Sequence, residues 1–215
     1  MRDYGDATVT QEDVKLLNTG GWLNDALVWF FEEYLRVEVA NNDPRVCFVS
    51  PNVAFLVAQS RSKEIAAELL TSLNLPEKKL ILVPVNDAGD GPTQLNYDTA
   101  VGNHWSLLVI HERTGPCELS SVEARSVSAA ARLITSLLPV RKTLSNVKLL
   151  RSPKQSNHSD CGVYVCAMME TVLQSFLADD QMQEFNGIAE EDLPYSSPAI
   201  VRSEMRKLVR EKCGV

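Results

Sequence analysis

Cys161 is the residue best placed to do chemistry. It ends the polar stretch "QSNHSD" and opens the apolar run "CGVYVCAMM". The run is too long and too uniformly apolar for a surface helix, so it predicts a central buried one beginning at the cysteine. A thiol at a helix N-terminus faces unpaired backbone N–H groups and the positive end of the helix dipole, which favour the thiolate, the reactive form of cysteine. The polar loop before it gives solvent and substrate access. Such a nucleophile needs a base beside it.

The chain holds three histidines, His104, His111 and His158. His158 lies in the same loop as Cys161, three residues away, and leaves little room for a substrate between the two. His111 closes the far end of a strand-like run and reads as a surface histidine. His104 opens that run, is followed by Trp105, and comes after a Gly-rich, polar stretch over 88–103. A base fixed at a strand end and open to a cleft is the arrangement nucleophilic catalysis needs. Cysteine and histidine are also ordinary core residues, so on these residues alone a Cys161–His104 dyad and two packed side chains both stand as readings.

The elements that must hold these groups follow from pattern. Thr10 with Asp13 three residues on predicts a helix start. Asn24 caps a second helix with Leu27, Phe30, Phe31, Tyr34 and Leu35 on its core face. "VCFVSP" predicts a short strand, and Ser50-Pro51 opens a further helix. Buried strands are predicted over 80–85 and 105–110, a third at "CELSSV", then a helix ended by Pro139, and a fourth strand at "VKLLRSP". The tail predicts an amphipathic helix with Ile200, Leu208 and Val209 inward. The sum is an α+β fold, a small sheet of the second to fourth strands flanked by helices, around one long buried helix.

Composition bounds the rest. The chain has 215 residues, 45% hydrophobic and 23% charged, with a formal charge of -7. That fits one domain over 1–215 and argues against a nucleic-acid partner, which calls for a basic excess. No apolar run reaches the roughly 18 residues of a membrane span, and the acidic N-terminus does not read as a secretory signal. The expected setting is the cytoplasm or nucleus, and the expected state a monomer. Five cysteines, an odd number with no CxxC pair, argue against a disulfide framework or a zinc ribbon.

Three segments taken together, "GGWLNDALVWFFEEYL", "GNHWSLLVI" and "QSNHSDCGVYV", resemble the SUMO/sentrin-specific (Ulp-type) cysteine proteases, in the same order along the chain. "FVSPNVAFLV" and "LVPVND" look like the deneddylase branch, which acts on the neddylation modifier. The resemblance implies a papain-like fold and hydrolysis after the C-terminal Gly-Gly of a ubiquitin-like protein, with no cofactor and no metal. Carried over by position, Cys161 is the nucleophile, His104 the general base and Gln155 the oxyanion donor. Trp22 and Trp105 match the aromatics over the Gly-Gly tail, and Asp25 matches an acidic position facing that tail. The family also has an aspartate on the strand after the histidine strand. An ungapped alignment puts it at Ser121 and a one-residue gap at Ser120, so no aspartate is present; Glu118 and Glu123 lie near. The resemblance therefore leaves three readings: a deneddylase, a SUMO-specific protease, or a weakened pseudo-protease that binds its modifier without cutting it.

Overall fold

The computed structural model describes residues 2–87, 104–139, 146–179 and 185–214; the predicted long loop over 88–103 falls outside them. A hairpin, β1 (Arg2–Tyr4) and β2 (Ala7–Val9), leads into α1 (Gln11–Thr19) and α2 (Asp25–Tyr34). A π-helical turn over Leu35–Val39 extends α2. The strands β3 (Val46–Phe48), β4 (Leu80–Asn86), β5 (Trp105–His111), β6 (Gly115–Ser120) and β7 (Lys148–Leu149) form one sheet in that spatial order. The helices α3 (Pro51–Ser60), α4 (Lys63–Leu70) and α5 (Ala129–Leu137) fall between strands, and α6 (Cys161–Ala178) and α7 (Pro198–Cys213) follow them.

The sheet is buried on both faces, which is why β4 and β5 are continuous apolar runs rather than alternating ones. Side chains still alternate by face. Leu80, Leu82, Trp105, Leu107 and Val109 join the core built with α2, α6 and α7. Ile81, Val83, Val85, Leu108 and Ile110 join a second core with α3, α4 and α5. β4, β5 and β6 are antiparallel, whereas β3 and β7 pair in parallel at the two edges. The sheet is therefore wider than the three strands the sequence predicts. A parallel edge strand is joined by a crossover, here α3 and α4, and carries no hairpin signal.

α6 has the length and composition of a membrane span, contrary to the reading of apolar runs above, but 78% of it is buried inside the protein. It is the core helix, with Val165, Cys166, Met168, Met169, Leu173 and Phe176 fully enclosed. α7 turns Val201, Met205, Val209 and Cys213 inward, while Ile200 is 42% exposed. The inward face thus includes Val201 rather than Ile200, and a charged residue, Arg202, is buried beside it.

The start of α2 is fixed by linked caps. Asp13 Oδ2 accepts from the Thr10 N–H at 2.7 Å, and Asp13 Oδ1 accepts from Asn24 Nδ2 at 2.6 Å. Asn24 Oδ1 in turn caps the Leu27 N–H at 3.2 Å. One carboxylate thus ties the N-termini of α1 and α2 together and holds the Trp22–Leu23 segment between them.

Candidate active site

The site gathers where the start of β5, the end of β6 and the start of α6 converge. Asp160 stands at the N-cap position of α6 without a side-chain capping bond, and Cys161 is the helix's first residue, only 1% exposed. The backbone N–H groups of Trp105, Gly162 and Cys161 itself point at the sulfur and favour its charged form. Burial outweighs them, and the nearby Asp87 carboxylate adds to it, so the thiol is raised above its ordinary range. Desolvation thus opposes the thiolate that the helix dipole favours. Asp160 is itself clamped. Arg202 from α7 donates to its Oδ1 at 2.6 Å through Nη2 and at 3.0 Å through Nε. The same guanidinium reaches the Leu16 and Ser159 carbonyls, each at 3.3 Å. Asn157 completes the clamp, donating to Asp160 Oδ2 and accepting from the Asp160 N–H.

Gly162 lets two elements approach. A Cβ there would lie 2.9 Å from Leu23 Cβ and 3.4 Å from Trp105 Cδ1. Trp105 is buried and donates its indole N–H to the Leu23 carbonyl at 3.1 Å. Trp22, next to Leu23, is 41% exposed. Asp25 is exposed in an open cleft of about 380 Å³ that it lines with Thr8, Asn24, Trp29 and Asn52. The cleft walls strip part of its hydration and raise its carboxyl.

His104 immediately precedes β5. Its N–H donates to Asp87 Oδ1 at 3.1 Å, and its carbonyl accepts from the Asp87 N–H at 3.1 Å. Burial lowers its pKa, and Lys154 lowers it further; Asp87 and Glu118 act the other way. Its Nε2 lies 2.9 Å from Ser120 Oγ. This corrects the alignment: Ser120, not Ser121, occupies the position against the ring. The β5–β6 register pairs Ser106 with Ser120, which puts Ser120 on the same face as the residue two before Ser106, His104. Glu118 does not reach the ring. Its oxygens accept from Ser106 Oγ at 2.6 Å and from the Ser128 N–H at 2.7 Å.

Ser121 turns to Gln155 instead, donating its hydroxyl to Oε1 at 2.6 Å. The loop before α6 is laced to the end of β6 around this contact. The Gln155 N–H reaches the Ser121 carbonyl at 2.8 Å, Ser152 Oγ donates to the Ser120 carbonyl at 2.6 Å, and Lys154 Nζ donates to the same carbonyl at 2.9 Å. None of Ser152, Lys154 or Arg202 stands out in the sequence, since each looks like a surface residue until the loop is seen against β6 and α7.

Cys161 at the start of a buried helix, with Trp105 of β5 against that helix and the His104–Ser120 and Gln155–Ser121 contacts at the end of β6, is the arrangement set beside known proteins. Residues 21–202 match the model of the Ulp1 protease family, C-terminal catalytic domain. The chain belongs to the Ulp1 protease family. It is 31% identical over 177 residues to sentrin-specific protease 8 of Mus musculus, covering 80% of this chain and 77% of the mouse protein. It is 26% identical to NEDD8-specific protease 1 of Arabidopsis thaliana, with 80% and 75% covered. Among solved structures it is similar to a de-sumoylating protease, with TM-score 0.69 and 17% identity over 95% of this chain and 86% of that one. It also resembles the C-terminal Ulp1 protease domain solved in complex with Smt3, the yeast ortholog of SUMO, with TM-score 0.64 and 18% identity over 98% and 86%. Those two likenesses carry the fold.

Proposed function

We propose that the protein is a thiol peptidase that cleaves after the C-terminal Gly-Gly of a ubiquitin-like modifier, the neddylation modifier in the first instance. The observation that carries the chemistry is the close approach of Trp105 to the start of α6, where a Cβ on Gly162 would lie 3.4 Å from Trp105 Cδ1, because it brings the residue next to His104 against the residue next to the nucleophile. The names of the 31%-identical and 26%-identical relatives carry the substrate class.

In this reading His104 keeps its proton on Nε2, donated to Ser120 Oγ, so Nδ1 is the basic nitrogen. Burial disfavours the charged form of both groups, lifting the thiol and lowering the imidazole. Cys161 transfers its proton to His104 as the sulfur attacks the glycine carbonyl carbon. Gln155 Nε2 and the Cys161 N–H donate to the oxygen that becomes negative. The imidazolium protonates the departing amine, the C–N bond breaks, and a thioester remains. Water, deprotonated by His104, then releases the modifier's carboxylate and restores the thiol. Trp22 and Trp105 flank a tail that only glycines are slim enough to thread, and Asp25 faces residues further back along it.

Fusions of the neddylation modifier, SUMO and ubiquitin to a reporter, each cleaved side by side, test the assignment. Cleavage of the first at least tenfold faster than the others is expected, with none by Cys161→Ala. Equal rates on all three would overturn the preference. A modifier carrying a C-terminal electrophile separates enzyme from binding module: covalent capture at Cys161 is expected, and reversible binding alone would leave a pseudo-protease.

A further inference from the structure

Gln155 can stabilise an oxyanion only if its amide presents nitrogen rather than oxygen to the substrate, and the two ends of an amide are nearly the same shape. Something must fix the orientation. The Asn157 carbonyl, which can only accept, takes a hydrogen from Gln155 Nε2 at 2.6 Å. That assigns the other end as oxygen, and Ser121 Oγ donates to it at 2.6 Å. The Ser121 carbonyl also accepts from the Gln155 N–H at 2.8 Å. Ser121 itself is 0% exposed, so its side of these bonds is shielded from water. Of the two Nε2 hydrogens one is taken by Asn157, and the second has no protein partner among the described residues.

We infer that Ser121 is a positioning residue for Gln155: its hydroxyl and carbonyl lock the amide so that one Nε2 hydrogen is left for the developing oxyanion. The adjacent serines at the end of β6 then have separate duties, Ser120 toward the base and Ser121 toward the oxyanion donor. A shift of that strand end would disturb both groups at once. The inference rests on the role given to Gln155 above.

The test compares two reactions of the same sulfur. Cleavage of a fluorogenic modifier passes through an oxyanion. Alkylation of Cys161 by iodoacetamide, read by peptide mass spectrometry, forms a thioether and expels iodide with no oxyanion at all. Ser121→Ala should lower kcat about tenfold, below the 10²–10³ cost of losing such a donor outright, with KM and the alkylation rate within twofold of the parent. Gln155→Ala should lower kcat at least as far, and adding Ser121→Ala to it should cost nothing further. Unchanged cleavage by Ser121→Ala alongside a defective Gln155→Ala overturns the inference and spares the role of Gln155. An active Gln155→Ala overturns both. Parallel loss of cleavage and alkylation in Ser121→Ala also overturns the inference, since it marks a general structural defect. Should Ser121→Ala not fold, Ser121→Cys, close in shape and a weak donor, replaces it. Loss of at least threefold in kcat with unchanged alkylation is then expected, and parent-level cleavage overturns the idea.

Discussion

Ser120→Asp should make this a faster enzyme. Ser120 Oγ sits 2.9 Å from His104 Nε2, and a carboxylate there would face the imidazolium formed during attack. Opposite charges about 4 Å apart attract by ~4 kcal/mol at an effective dielectric near 20. Three features of the site reduce that figure. Ser120 is buried, so the new charge is desolvated. Lys154 Nζ, already on the Ser120 carbonyl, would share it. Glu118 lies on the same face of β6 and repels it. A net ~1.4–2.7 kcal/mol is expected, a 10–100-fold gain in kcat/KM. The pH profile should move as well. Burial holds the His104 pKa below its ordinary value; a carboxylate raises it, so a higher pH is needed to free the imidazole as base and the acid limb shifts upward. Fluorogenic cleavage across pH reads both effects. Ser121→Asp is the contrast, because a carboxylate cannot donate to Gln155 Oε1, and it should lower the rate. A gain from Ser121→Asp with none from Ser120→Asp would refute this account of the strand end.

The other expectations concern the scaffold. Gly162→Ala places a Cβ 2.9 Å from Leu23 Cβ, so it should cost about 1–3 kcal/mol in denaturant unfolding and roughly tenfold in cleavage; a neutral or stabilised variant would mean that Leu23 yields easily. Arg202→Met strands Asp160 without its cation and should cost about 3–5 kcal/mol, partly recovered by adding Asp160→Asn. Glu32 is buried in α2 with neither oxygen partnered among the described residues, and burial raises its pKa well above the ordinary value. A group with a raised folded-state pKa contributes fully below its unfolded pKa, about 4.3, and loses that contribution as pH climbs toward the folded value. Glu32→Leu should therefore stabilise by about 1–3 kcal/mol at pH 7.5 and by less at pH 5; equal gains at both would rule out the titration.

What could be read from the sequence was what local pattern encodes. The caps at Thr10 and Asn24, the apolar runs of β4 and β5 and the helix opening at Cys161 each follow from a few neighbouring residues, and each lies where expected. What escaped depends on residues far apart in the chain. Choosing between Ser120 and Ser121 needs the β5–β6 register, in which a slip of one residue reverses the face. The raised Cys161 thiol reflects burial under elements that the helix dipole argument does not contain. Arg202 has the composition of a surface residue, and only the position of Asp160 explains its burial. Ile200 was expected inward because apolarity alone does not reveal where α7 begins.

The clamp on Asp160 also has an order in time. Proteins are made from the N-terminus, and upstream parts begin to fold as they emerge. Leu16 and Asp160, two of the residues that Arg202 holds, are 186 and 42 residues ahead of it. A nascent chain can thus carry Cys161, His104 and Gln155 for some time before α7 has been made. During that interval Asp160 lacks its cation and the start of α6 is unsecured. The ribosome-bound polypeptide should be silent until α7 has been made, and competence should arrive with that helix.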